Sequence, residues 1–262
     1  MSIPGPVTRR LKPEEEEVLR KREELAAVRA TLAERELELA DLRSGLAGFE
    51  GRYLRQVGSA YAELDEWRAR LYGLKAQLDP SAAAQQEATR TWEEARQTRE
   101  AAQGEASREA EFNSTPELKR LFRDAAKLMH PDLAADDADR QRRTKFMAEA
   151  NRAYRTRDAE MLQRILNRFL DDPDMHLGEG VGAELIRIIR QISQIRDRLS
   201  VIAQETERLN QSEIGQLRRE ADEAGTLGRD LLADIERTVR EQIQRVKAEY
   251  ETLAEKATRD ER

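Results

Sequence analysis

From Leu185 to Leu209 one stripe of residues recurs alternately three and four positions apart: Leu185, Ile188, Ile192, Ile195, Leu199, Ile202, Thr206 and Leu209. A repeat averaging 3.5 residues keeps such a stripe turned towards a partner helix along its whole length, so this segment has to be one strand of a coiled coil. A second seam lies near the N-terminus, at Leu25, Val28, Leu32, Leu39, Leu42, Leu46, Phe49 and Tyr53. It keeps the same alternation if Arg35 takes a seam position, its stem lying along apolar surface with the charge in water. The pattern resumes at Val57, Ala60, Leu64, Trp67, Leu71, Leu74 and Leu78 after a register shift between Tyr53 and Val57. Gly48, Gly51 and Gly58 cluster at that shift, which predicts a stutter, kink or close helix approach there.

Composition agrees with seams rather than a thick core. Charged residues make up 37% of the chain and aromatics 5%, with 13 Gly and 7 Pro. That usage belongs to long helices, and the fold class expected is all-α. Asp79-Pro80-Ser81 reads as a turn. The next stretch, to about residue 111, carries a mostly alanine seam: Ala88, Trp92, Ala95, Ala102 and Ala106. It is expected to return along the first coiled coil as an antiparallel hairpin, with a parallel dimer as the competing arrangement. Beyond Leu209 the seam weakens around Gly215, Gly225 and Gly228, then resumes at Val239, Ile243, Val246, Tyr250 and Leu253. Two helices folded back on each other through residues 210–228 would satisfy both C-terminal seams.

Several function classes are set aside by absence. The chain has no Cys, which excludes disulfides and thiolate metal sites. No P-loop, nucleophile elbow or pair of catalytic carboxylates is found, so no enzyme activity and no cofactor is expected. A metal site joining His130, Asp132 and His176 has no ligand spacing on a shared helix to support it. No run of about 18 apolar residues offers a membrane span, and no signal-type segment opens the chain, so a cytoplasmic address is expected. The basic run Arg140, Arg142, Arg143 and Lys145 lacks the interleaved aromatic residues that single-stranded nucleic acid would stack on. It reads as a solvated helix face.

The middle of the chain differs in charge from its flanks. Residues 113–170 hold 13 Lys/Arg against 9 Asp/Glu, whereas the whole chain holds 46 against 52. Ser114 with Glu117, or Thr115 with Pro116, marks a helix start, and Pro131 stops that helix at about Met129. Leu118, Leu121, Phe122, Ala125, Ala126 and Met129 form its apolar face, with Lys119, Arg120, Arg123 and Lys127 outward. A second helix, expected from about Ala138 to Arg155, matches it with Phe146, Met147, Ala150, Ala153 and Tyr154. A third runs from Asp158 to Leu170. Two apolar stripes joined by so short a loop make an antiparallel helical hairpin, with His130-Pro131-Asp132 displayed at its tip.

A basic helix, then His130-Pro131-Asp132, then Lys145-Phe146 through Ala153-Tyr154 resembles the J-domain of the DnaJ family. The likeness covers about a fifth of the chain. It divides the sequence into a flexible leader (1–12), an N-terminal coiled coil (13–112), a J-domain-like region (113–170), a linker (171–182) and a C-terminal coiled coil (183–258). The resemblance implies a co-chaperone that docks on a DnaK-type seventy-kilodalton chaperone and stimulates its ATPase. By the same carry-over Asp132 would pair with a chaperone arginine, His130 and Pro131 would set the loop, and Lys119, Arg120, Arg123 and Lys127 would steer towards an acidic surface. The coiled coils would then bind a client, a complex or a second copy of the chain. The family's opening helix and basic ending have no counterpart here, and the lysine that often follows the tripeptide is Leu133. Those departures keep open a rival reading, a coiled-coil scaffold whose hairpin is only an assembly element.

Overall fold

The computed structural model describes residues 12–105, 114–134, 136–170 and 181–260, and those residues are all-α with no strand among them. Most of the expected leader and most of the expected linker lie outside the described residues. Nine α-helices are described: α1 (Pro13–Tyr53), α2 (Ser59–Leu78), α3 (Ala82–Glu105), α4 (Pro116–Met129), α5 (Asp137–Arg155), α6 (Ala159–Leu170), α7 (Val181–Gln211), α8 (Glu213–Thr226) and α9 (Leu231–Asp260). A π-helical turn, Leu54–Gly58, joins α1 to α2, and a 3-10 turn, Pro131–Leu133, follows α4. The π turn falls where the seam shifts register. One extra residue in a turn absorbs the misfit that the step from Tyr53 to Val57 creates.

The chain divides into two compact units that cut across the boundaries expected from sequence. One comprises Met1–Arg43 and Asn113–Leu209, the other Ser44–Phe112 and Asn210–Arg262. Each therefore combines part of the N-terminal coiled coil with part of the C-terminal one.

In the first unit α1 pairs with α7. Arg22, Arg29, Glu36 and Arg43, seven residues apart, meet Glu184, Gln191, Arg198 and Glu205, each partner being 162 positions further along the chain. A constant offset means that the two helices run parallel in a fixed heptad register. Between those rungs Val18, Leu25, Leu32 and Leu39 pack with Ile188, Ile192, Ile195 and Ile202. The expectation that the 185–209 seam closes on the helix after Gly228 is thus corrected. Heptad spacing announces that a seam needs a partner, but any seam of matching period can supply one.

The hairpin packs on this pair as three helices. Thr115 caps α4, its hydroxyl accepting from the Leu118 amide at 3.2 Å, and Pro116 takes the first helical position. Ser114 is turned elsewhere. Phe122 and Tyr154 pack with tilted rings across α4 and α5, centroids 4.5 Å apart, and Phe146 meets Phe169 of α6 edge-on at 5.3 Å. The turn into α6 places Arg157 at φ 60°, and Asp158 caps the next helix through the Met161 amide at 2.7 Å.

In the second unit α3 does return antiparallel along α2. Thr98 Oγ1 donates to Asp65 Oδ2 at 2.9 Å, and Arg99 pairs with Glu66 at 2.9 Å. The remaining face of that pair is filled by α9, which runs parallel to α2. Ala60 and Leu64 bury Val239 and Ile243, Trp67 meets Tyr250 at 5.8 Å, and Lys247 pairs with Glu63 at 2.9 Å. Helix α8 closes with Gly228 at φ +71°, where the Arg229 amide reaches back to the Ala224 carbonyl at 3.0 Å.

Leu32 has no exposed surface within the α1–α7 seam. Leu32→Ala is expected to lower stability by about 2–5 kcal/mol in urea unfolding followed by circular dichroism. Ile186→Ala, at a position 54% exposed on the same pair of helices, should stay within about 0.5 kcal/mol of wild type.

Candidate functional site

The loop between α4 and α5 begins at His130, where Pro131 cannot continue the helix and fixes the backbone. His130 Nδ1 accepts from the Asp132 backbone amide at 3.2 Å, which closes the loop on itself. Its other ring nitrogen, Nε2, lies 3.0 Å from Glu36 Oε1 of α1. With Nδ1 accepting, the tautomer that satisfies both contacts carries its proton on Nε2 and donates to the carboxylate. The same Glu36 oxygen accepts from Arg198 Nε of α7 at 2.7 Å. The His130 side chain is only 4% exposed and that of Glu36 8%. The tip of the hairpin is therefore not a free display: its histidine is buried against the coiled coil.

Leu133 completes the seat. It is buried among the seam residues of α1 and α7. Its carbonyl accepts from Gln191 Nε2 at 2.8 Å. Gln194, with its amide oriented to suit both neighbours, donates to the Asp132 carbonyl at 3.1 Å and accepts from Arg140 at 3.2 Å. Pro131 and Asp132 remain half-buried, and the Asp132 carboxylate lies 3.6 Å from His130 Nδ1.

The basic face of α4 splits in two. Lys119 pairs with Asp41 of α1 at 2.9 Å, and Arg123 reaches Glu34 of α1 at 3.4 Å. Arg120 sits beside Asp124 of its own helix at 3.7 Å and Lys127 is exposed. Asp41 also accepts from Tyr154 at 2.6 Å and from Ser114 at 3.1 Å. Burial first, and then the Asp41 carboxylate beside it, raise the Tyr154 phenol well above its usual range. Arg142 and Arg143 of the basic run turn to Asp139 at 2.9 and 2.8 Å, and Arg143 also donates to the Leu128 carbonyl at 2.6 Å. Of that run, Arg143 thus joins α5 to the end of α4.

No family model, curated protein or solved structure matches the chain.

Sequence reading assembled the tripeptide and its basic helix but missed Glu34, Glu36 and Asp41, which hold them. A signal existed. Glu36 stands in a row otherwise made of arginines, at heptad spacing from Arg22, Arg29 and Arg43. Arg198 likewise interrupts the row of Glu184, Gln191 and Glu205. Among the described residues no group of three His, Cys, Asp or Glu could hold a metal ion, and no helix is long and apolar enough to cross a membrane.

Burial alone would raise the Glu36 carboxyl, but hydrogen bonds from His130 and Arg198 outweigh it and hold the group below the ordinary carboxylate range. A depressed carboxylate stabilises the fold above its unfolded pKa, about 4.3, and the contribution disappears as pH falls through the folded value. The melting-temperature difference between wild type and Glu36→Gln should be largest at pH 7 and shrink below about pH 4. A difference independent of pH would contradict the assignment. Glu36→Ala, which strands Arg198 and His130 together, is expected to cost about 3 kcal/mol in urea unfolding.

Proposed function

We propose that this chain is a J-domain co-chaperone or adaptor: its central hairpin recruits a DnaK-type seventy-kilodalton chaperone and stimulates its ATPase. Its coiled-coil regions bind a client or a second copy of the chain. The observation that carries this reading is the closed loop at the end of a basic helix. His130 holds the Asp132 amide through Nδ1 at 3.2 Å, and the Asp132 side chain stays 28% exposed. A carboxylate on a loop closed by His130, following a helix that carries Arg120 and Lys127 on its outer face, suits a partner that offers an arginine within an acidic surface. The ATP chemistry then belongs to the chaperone, and this chain supplies only binding energy. The same reading puts its site of action in the cytoplasm.

One observation favours a second reading, a coiled-coil scaffold. His130 and Leu133 fasten the hairpin to α1 and α7, and a loop so used needs no chaperone to account for its residues.

The two readings separate in a steady-state ATPase assay of a DnaK-type chaperone from the same source, with the protein added. Asp132→Asn leaves the contacts of the His130 ring with Glu36 and the Asp132 amide in place, so it tests the loop without loosening its seat. The co-chaperone reading expects stimulation by wild type and its loss in both Asp132→Asn and His130→Gln. Equal rates with wild type and Asp132→Asn, or no stimulation at all, would leave the scaffold.

A further inference from the structure

Three of the groups that a chaperone would use, His130, Lys119 and Arg123, are already engaged within the first unit. Three carboxylates on one stretch of α1 meet the hairpin: Glu34 at Arg123, 3.4 Å; Glu36 at His130, 3.0 Å; Asp41 at Lys119, 2.9 Å. From α7, Gln191 holds the Leu133 carbonyl at 2.8 Å, and Leu133 itself is packed into the α1–α7 seam. The acidic edge of α1 thereby offers the basic edge of α4 the kind of surface expected of a partner.

We infer that the α1–α7 coiled coil is an intramolecular mask, in which Glu34, Glu36 and Asp41 stand in for an acidic partner surface, and that the hairpin lifts from it before a chaperone takes His130, Lys119 and Arg123. The identity of the partner rests on the co-chaperone reading; the mask does not. The contacts fall into two kinds. Lys119 and Arg123 are 39% and 37% exposed in their side chains and their ion pairs are wet, so an acidic surface can exchange them singly at little cost. His130 and Leu133 are buried and move only together with the loop. Opening therefore proceeds by competition at the rim, followed by release of the anchored loop and of the buried Tyr154 hydroxyl from Asp41, without unfolding either helix pair.

The chain has no cysteine, so a single pair can be introduced. Glu34→Cys with Arg123→Cys, joined by a short bismaleimide, ties α4 to α1. The same chain left unjoined is its control. A triple variant, Glu34→Gln with Glu36→Gln and Asp41→Asn, loosens the mask with no substitution in the hairpin. Exposure of His130 is read from its rate of modification by diethylpyrocarbonate, followed by peptide mass spectrometry against free N-acetylhistidine. Slow modification is expected in wild type and in the tied chain, and modification about tenfold faster in the triple variant. Chaperone ATPase should be stimulated less by the tied chain than by its unjoined control, and more by the triple variant than by wild type. Wild-type His130 reacting as fast as free N-acetylhistidine would overturn the mask. So would equal, measurable stimulation by tied and unjoined chains. If modification follows the expected order while no form stimulates the chaperone, the mask stands and the co-chaperone reading falls.

Discussion

Glu36 Oε1 accepts hydrogen bonds from two directions, from Arg198 on the helix paired with its own and from His130 at the end of another helix. A carboxylate this deeply buried is costly unless its lone pairs are taken. Here one oxygen satisfies a donor that registers the coiled coil and a donor that seats the loop. The parallel pairing of α1 with α7 and the docking of the α4–α5 hairpin are consequently not independent. Loss of the carboxylate strands a guanidinium and an imidazole together, and each belongs to a different packing contact.

Local structure was legible where it depends on neighbours in sequence. The helix stop at Pro131, the capped start at Thr115-Pro116, and the return of α3 after Asp79-Pro80-Ser81 all follow from residues within a turn of the event. The register shift before Val57 was likewise visible, and the π turn is its physical form. Partner choice was not legible. The seam through Ile188 and Ile195 and the seam through Val239 and Ile243 have the same period, so either pairing satisfies a count of apolar positions. What selects between them are the rungs beside the seam, Arg22 with Glu184 and Arg43 with Glu205, and these are meaningful only once two segments 162 positions apart are compared. The candidate site was half legible for the same reason: the tripeptide is contiguous, whereas its carboxylate partners lie on α1, about ninety residues away.

Departures from the J-domain pattern take on a physical sense in this setting. A lysine after the tripeptide would place an ammonium where Leu133 is buried among Ile188, Ile192 and Leu32; the leucine is what that seat demands. Tyr154, part of the Ala-Tyr signature, spends its hydroxyl on Asp41. The hairpin is shaped for its place on the coiled coil as much as for any outside partner.

The charges beside the seam run plus, plus, minus, plus along α1, and minus, neutral, plus, minus along α7. This arrangement acts as a key cut to one depth. Sliding α7 by a heptad in one direction would set Arg29 against Arg198 and Glu36 against Glu205; sliding it the other way would set Arg43 against Arg198. A row of one sign facing a row of the other would tolerate both slips and lose only an end rung. The inverted rung disfavours them, and it is the rung on which His130 rests. The same inversion therefore helps set the phase of a long helix pair at the heptad where the loop is seated.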